Sequence, residues 1–277
     1  MNNSAVPRAA SPASIPLTAG QAKRYAVTAW YLLATMGHFI FATYILAVFY
    51  PPIAAHGAEG LAGMHLPNGF REGDVVGNLA AVTHVMIAVV VIAGGPLQLM
   101  PIIRSRLPAF HRVLGRCYVM AAMCSATVGL YMVWTRGTVG GLVGHIAISG
   151  DGILILIFSA LTVYNALKGR LATHRRWAMR LFMVASSVWF FRVGLMGWIA
   201  LTGGMGIDFK TFSGPALTLL FFAQYLLPLA MLEWYFRLQR PAPPAEQWGF
   251  ALVVMGLSSF MAVGIFSATI DMWLPRV

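Results

Sequence analysis

Seven long apolar stretches, separated by short polar connections, dominate the pattern of the chain. They cover residues 25–50, 75–100, 113–134, 142–167, 177–201, 214–236 and 248–273. Each approaches or exceeds the roughly 20 residues that a helix needs to cross about 30 Å of hydrocarbon. Backbone groups in lipid must be hydrogen-bonded within their own segment, which favours helices. The pattern therefore predicts an all-α integral membrane protein with about seven transmembrane helices.

Composition agrees with this class of protein. Hydrophobic residues make up 59% of the chain and charged residues only 10%, whereas soluble domains carry about 25% charged residues. Residues 1–24 are rich in Ala, Ser and Pro, which predicts a flexible cytoplasmic tail. The remaining connections are too short to hold a soluble domain, so residues 25–277 should form a single transmembrane helical bundle.

The formal net charge of +11 is concentrated in alternate connections. Basic residues precede the first span and surround the connections after the second, fourth and sixth spans: Arg8, Lys23, Arg24, Arg104, Arg106, Arg112, Arg116, Lys168, Arg170, Arg175, Arg176, Arg180, Arg237 and Arg240. The positive-inside rule then predicts a cytoplasmic N-terminus and an outside C-terminus in a bacterial inner membrane. These side chains are expected to contact anionic membrane lipids, and a nucleic-acid partner is not needed to explain them.

Two of the basic connections resemble each other. Residues 106–112 read Arg-Leu-Pro-Ala-Phe-His-Arg, and residues 170–175 read Arg-Leu-Ala-Thr-His-Arg. Duplication of a two-helix unit would explain the likeness, and chance is the alternative. If the repeat is real, the second to fifth helices (about 75–201) form a four-helix core. The helices at 25–50, 214–236 and 248–273 are then flanking additions.

Four histidines lie near alternating ends of the second to fifth spans. His84 and His145 lie toward the outer side, whereas His111 and His174 lie at the cytoplasmic side. A low-spin haem takes one imidazole from each side, supplied by two helices that face each other. The pattern predicts up to two b-type haems with these histidines as iron ligands. The predicted partners of the haem propionates are Arg112, Arg175 and Arg192.

Two observations bear on this hypothesis. Small or polar residues share the helix face of each histidine, which would admit a porphyrin but would also let membrane helices pack closely without any cofactor. His111 and His174 agree in depth because each begins a helix. His84 lies about nine residues, or roughly 14 Å, into its span, whereas His145 lies only a few residues into its own. The outer pair is therefore mismatched in height.

Three other polar residues fall deep inside predicted spans. Asp151 and Arg192 have similar depths on consecutive antiparallel helices. Buried charges cost at least about 2.5–3.5 kcal/mol each unless they are paired or hydrated, so an ion pair between them is the structural explanation. The functional alternatives are that Arg192 holds a propionate, or that Asp151 and His84 relay protons. His38, in the middle of the first span, is either a spare ligand or a hydrogen-bonding residue between helices.

The segments His111-Arg-Val-Leu-Gly-Arg-Cys-Tyr118 and His174-Arg-Arg-Trp-Ala-Met-Arg180 resemble those of a family of predicted bacterial membrane proteins, catalogued as a domain of unknown function. The resemblance covers roughly residues 75–240 and implies a fold and a membrane location. The histidine layout is also similar to that of diheme transmembrane cytochromes b of the ascorbate-reducing type. That similarity implies the pairs His84–His145 and His111–His174, although the inner histidines lie nearer the membrane edge here.

The leading functional prediction is a transmembrane electron-transfer oxidoreductase. Two b-type haems would carry electrons across the inner membrane between a quinol or other redox partner and an acceptor. The alternative is a haem-free transporter or proton-coupled protein, with His38, His84, Asp151 and Arg192 as a polar intramembrane site. A third possibility is a subunit whose basic loops dock a cytoplasmic partner. No phosphate-binding glycine loop, zinc-protease motif or nucleophile elbow supports a kinase or hydrolase.

Overall fold

The computed structural model describes residues 17–64, 66 and 69–277, and over this part of the chain the fold is all-α. Most of the predicted tail, residues 1–16, lies outside the described residues. The helices are α1 (Ala19–Val48), α2 (Tyr50–His56), α3 (Val75–Leu99), α4 (Pro101–Arg106), α5 (Pro108–Arg136), α6 (Gly141–Leu167), α7 (Leu171–Ala185), α8 (Ser187–Thr202), α9 (Pro215–Arg237) and α10 (Pro244–Ser267). A π-helical turn at Ala268–Trp273 continues α10.

Six of the described helices are long and apolar enough to cross a membrane: α1, α3, α5, α6, α9 and α10. Helices α7 and α8 together make a seventh span, bent by 48° at the break between them. The prediction of an all-α membrane protein with about seven spans is confirmed. Because consecutive spans alternate in direction, loops 100–107, 168–170 and 238–243 share one side, called here the basic face. Loops 57–74, 137–140 and 203–214 lie on the opposite face.

The second to fifth spans form a closed ring. Helix α3 packs against α5, α5 against α6, α6 against α7, and α7 again against α3. Helices α5 and α7 therefore lie on one diagonal of the ring, while α3 and α6 lie on the other. These diagonals decide which histidines can face each other across the interior.

Helix α1 begins at Ala19, whereas the apolar pattern placed its start at residue 25. Its first turn is closed by a capping box, in which the Gln21 amide donates to Thr18 Oγ1 at 3.3 Å and the Gln21 side chain accepts from the Thr18 amide at 2.9 Å. A capping box satisfies backbone donors that the first helical turn leaves free. Residues 19–24, which composition assigned to the tail, therefore belong to the helix.

The first and last spans are integral to the bundle, although the sequence suggested flanking additions. Phe41 of α1 and Trp189 of α8 share one hydrophobic cluster with residues of α3 and α10. Glycines allow the close approach: a Cβ on Gly37 would lie 2.5 Å from the Trp189 ring, and a Cβ on Gly264 would collide with a backbone carbonyl of α8. Small residues at such contacts are typical of closely packed membrane helices.

The fifth span is broken, whereas the apolar pattern predicted one continuous helix over 177–201. Helix α7 ends at Ala185 and α8 starts at Ser187, with Ser186 between them. Both serines are buried, and sharp bends occur at serine pairs and where side chains compete for backbone hydrogen bonds. The break gives α8 an N-terminus of its own inside the bundle.

Replacing Gly264 by Ala should destabilise the protein, because the new methyl group would collide with the Val193 carbonyl in the contact between α8 and α10. We expect a loss of about 1–3 kcal/mol in the free energy of unfolding, measured by reversible denaturation in detergent. Gly256→Ala on the same helix is the matched control, because nothing lies within 4 Å of its added Cβ. Equal stability of the two variants would contradict the packing described.

Candidate functional site

A cavity of about 1600 Å³ is lined by residues of α3, α5, α6 and α7 and also by residues of α1, α8, α9 and α10, and arginines of the basic face lie along it. Its wall is mostly apolar and includes small residues such as Gly95, Gly115 and Ala178. The cavity extends sideways between α9 and α10, where Leu227 and Leu257 line it. Concave, largely apolar cavities with a few convergent polar groups are the usual sites for cofactors and small ligands.

His111 and His174 both line this cavity. They come from α5 and α7, the two helices on one diagonal of the ring. Nδ1 of His174 donates to the Thr162 carbonyl at 2.9 Å, so its Nε2 keeps a lone pair. Nδ1 of His111 is buried, and none of the described residues accepts or donates a hydrogen bond there. The structure thus places both inner histidines on the wall of the same cavity.

Arginines surround the cavity at the basic face. Arg104, Arg112, Arg116 and Arg175 all line it, and each of these side chains is exposed at the mouth. Two of them, Arg112 and Arg175, are predicted propionate partners that directly follow a histidine in sequence. The mouth is therefore suited to a ligand with an apolar body and an anionic edge.

Further polar atoms of the cavity wall have no partner within the described part of the chain. They are the Tyr118 hydroxyl and Thr162 Oγ1, both buried. Gln98, on the same wall, donates to the His111 carbonyl at 3.2 Å. Sequence reasoning did not assign Thr162 or Gln98 to the site, although a polar residue inside an apolar span is itself a signal of function.

His84 is placed against a neighbouring helix rather than across the ring. Its Nδ1 lies 3.2 Å from both the carbonyl oxygen and the hydroxyl oxygen of Ser125 on α5. Gly129, one turn further along α5, leaves room for the imidazole. His84 therefore packs on α5 and not on α6, the helix that carries His145.

His145 also faces α5, but at a different depth. Its Nδ1 is hydrogen-bonded to the Gly141 carbonyl of its own helix, and its ring lies 5.6 Å from that of Trp134. Gly129 of α5 lies beside His84, whereas Gly137, the residue that follows α5, lies beside His145. His145 therefore lies near the end of α5, about 10 Å of helical rise beyond Gly129. The structure does not bring the outer pair together, in line with the height mismatch expected from the sequence.

His38 is fully buried and makes hydrogen bonds between helices. Its Nδ1 lies 2.7 Å from the Ala34 carbonyl, and its Nε2 lies 3.0 Å from Ser186 Oγ at the break of the fifth span. The Trp189 ring packs on it with a centroid distance of 4.1 Å. Both ring nitrogens are therefore engaged with the protein, which favours the hydrogen-bonding role over the spare-ligand role.

Asp151 and Arg192 do not form the ion pair suggested by the sequence. Asp151 Oδ2 accepts a short hydrogen bond from Ser187. Arg192 donates to the Val188 carbonyl at 3.1 Å and lies over the Phe41 ring at 5.3 Å. Ser187 and Arg192 are five positions apart on α8 and so point about 140° apart around its axis. Equal depth on neighbouring helices is not sufficient for an ion pair, because the two side chains face different directions.

A charged network fastens the loop on the opposite face. Arg136, at the end of α5, is buried and donates to Asp74 Oδ2 at 2.8 Å, to Asn78 Oδ1 at 2.6 Å and to the Gly69 carbonyl at 3.0 Å. Asp74 also caps α3 by accepting from the Gly77 amide at 2.9 Å. The Gly77 amide and the Arg136 guanidinium lower the pKa of the Asp74 carboxyl.

The fold and the cavity together define a class of protein: a polytopic helical membrane protein whose spans line a large, mostly apolar cavity with arginines of the basic face along it. The chain belongs to the family described as "Predicted membrane protein (DUF2306)", whose model matches residues 81–227. The match covers the four ring spans and most of α9. No curated protein and no solved structure matches the chain.

Acid should weaken the network at Asp74. The lowered folded pKa of this carboxyl means that its stabilising effect is complete above its unfolded pKa and is lost as pH falls through the folded value. We predict that, as pH is lowered through the acidic range, the thermal midpoint of the wild type falls more than that of Asp74→Asn. Thermal unfolding in detergent at a series of pH values measures both curves. Parallel curves for the two proteins would contradict this role.

Proposed function

We propose that this protein is a membrane-embedded b-type haem protein that transfers electrons, with one haem held between His111 and His174. The observation that carries the proposal is that these two imidazoles, on diagonally opposed helices, line the same cavity of about 1600 Å³. A haem bound there would supply one-electron redox chemistry. The residues of the chain would bind it, orient it and keep water away from it.

The donor set is consistent with axial ligation. A ligating histidine normally donates its other ring N–H to a carbonyl, carboxylate or water, which fixes the ring and its tautomer. The bond from His174 Nδ1 to the Thr162 carbonyl has this form. The unpartnered Nδ1 of His111 leaves that imidazole available as well. Among the described residues there is no group of three or more His, Cys, Asp or Glu side chains suited to a metal ion, so a two-histidine haem is favoured over a multidentate metal centre.

The glycines of the wall allow close packing of side chains in the region of the proposed ligands. A Cβ on Gly95 would lie 2.9 Å from the Phe182 ring, and a Cβ on Gly115 would lie 3.0 Å from Gln98 Oε1. Larger residues at either position would displace Phe182 or Gln98, which line the same cavity as His111.

The charge at the mouth suggests how the haem would be oriented. Arg112 and Arg175 line the cavity next to the proposed ligands, where they would bind the anionic propionates, while the apolar wall would hold the macrocycle. The sequence also suggested Arg192 as a propionate partner. Arg192 lies over the Phe41 ring and does not line this cavity, so we do not include it.

The proposal is limited to one haem because His84 and His145 lie beside α5 at depths that differ by about 10 Å. The lateral opening between α9 and α10, lined by Leu227 and Leu257, suits a quinol-type redox partner that reaches the haem from the lipid.

The excess of arginine on the basic face supports a cytoplasmic position for that face in a bacterial inner membrane, with the N-terminus inside and the C-terminus outside.

The visible absorption spectrum of protein purified from haem-replete cells tests the proposal. We expect a reduced-minus-oxidised difference band of the b type, with about one haem per chain. His111→Ala and His174→Ala should each abolish the band, because each removes one axial ligand. His145→Ala is the matched control and should retain it.

Three outcomes would overturn the proposal. A folded wild-type protein that is colourless after haem supplementation would exclude the cofactor. A band that survives both His111→Ala and His174→Ala would exclude these ligands. Loss of the band in His145→Ala, in a variant that remains monodisperse, would restore the outer pair as a ligand site.

A further inference from the structure

Asp151 occupies an unusual position in the interior of the bundle. It lies near the middle of α6 and is only 6% exposed. Its side chain meets the break of the fifth span, where Ser187, the first residue of α8, donates to its Oδ2. Its other oxygen, Oδ1, is buried and has no hydrogen-bond partner among the described residues.

The groups that face Asp151 offer no fixed counter-charge. Helix α8 contributes the Ser187 hydroxyl, and α9 contributes the Tyr225 phenol, which is within electrostatic range. On the side of α5, the apolar Leu130 packs beside Gly152. The cation expected from the sequence, Arg192, lies over an aromatic ring instead. Within the described chain, no Lys, Arg or His forms an ion pair with Asp151.

Each protonation state of this carboxyl is therefore stabilised by a different feature. Apolar surroundings without a cation favour the neutral acid, because an unpaired charge is costly in a membrane interior. The Ser187 hydroxyl and the N-terminus of the 16-residue helix α8, which carries a partial positive charge, favour the anion. Half-helices that point their N-termini at a buried polar site are characteristic of membrane proteins that bind ions in mid-membrane.

We propose that Asp151 is a proton-binding site inside the membrane, located at the break of the fifth span. The proton binds to Oδ1, the oxygen without a partner, while Oδ2 continues to accept the hydrogen bond from Ser187. Uptake adds one proton from water to the carboxylate, and release returns it, so the step needs no other reactant. The proposal does not depend on haem binding.

Infrared difference spectroscopy between acidic and alkaline pH tests this site in the purified full-length protein. We expect a C=O stretching band of a protonated carboxyl that appears on acidification, shifts in D2O and is absent from Asp151→Asn. Asp208→Asn is the matched control, since Asp208 is an exposed carboxylate in the loop on the opposite face. The band should persist in that variant.

Two further variants separate the possible outcomes. Ser187→Ala should shift the frequency of the band and move its titration to higher pH, because it removes the hydroxyl that stabilises the anion. This variant also serves if Asp151→Asn does not fold. His111→Ala should leave the band unchanged, which keeps the result independent of the haem proposal.

The proposal is overturned if the spectra of the wild type and a folded Asp151→Asn variant are the same throughout the pH range. It is also overturned if the band assigned to Asp151 responds neither to pH nor to D2O. A band that is unaffected in Ser187→Ala would show that the proton does not reside on the carboxyl at the helix break, and would likewise overturn it.

Discussion

The hydrocarbon interior of a membrane offers no hydrogen-bonding partner, and this constraint governs where polar groups lie in the protein. Most of the buried polar side chains find a partner on another helix or on their own backbone. Trp189 Nε1 donates to the Gly37 carbonyl at 3.1 Å, and His38 reaches Ser186. Such bonds fasten α1 to the broken fifth span. They make the first helix part of the bundle rather than an addition to it.

Buried polar atoms without a partner are informative against this background, because each leaves a cost that the described chain does not offset. Three of them, on His111, Tyr118 and Thr162, belong to residues that line the cavity at the basic face. Another, Asp151 Oδ1, lies at the break of the fifth span. A bound ligand would satisfy the first group, and a proton would neutralise the carboxyl of the second.

The two halves of the ring are built differently. Toward the basic face, a large cavity has His111 of α5 and His174 of α7 on its wall. Toward the opposite face, side chains fill the interior, since Leu130 packs on Gly152 and the stacked rings of Phe191 and Phe221 pack nearby. The loop there is fastened by Arg136. This asymmetry is the reason for proposing one haem near the basic face and a separate proton site deeper in the bundle.

The broken span connects these regions. Helix α7 carries His174 into the cavity, while the two serines after it bind His38 on one side and Asp151 on the other. A continuous helix would keep the Ser187 amide within its hydrogen-bonding ladder. The break instead places the start of α8 next to the Asp151 carboxyl, where its partial charge acts.

Sequence by itself determined the class of protein, the positions of the spans and the alternation of the basic loops, because length and polarity relative to the membrane decide these properties. It also predicted that His111 and His174 share a depth and that His84 and His145 differ in height. It placed the start of α1 too late, since a capping box extends the helix into a polar segment. Only the tertiary structure decided which groups meet. The direction of a side chain around its helix axis and the break at Ser186 decide that Asp151 meets Ser187 while Arg192 lies on another face of α8. Depth along the chain gives neither that direction nor the position of the break.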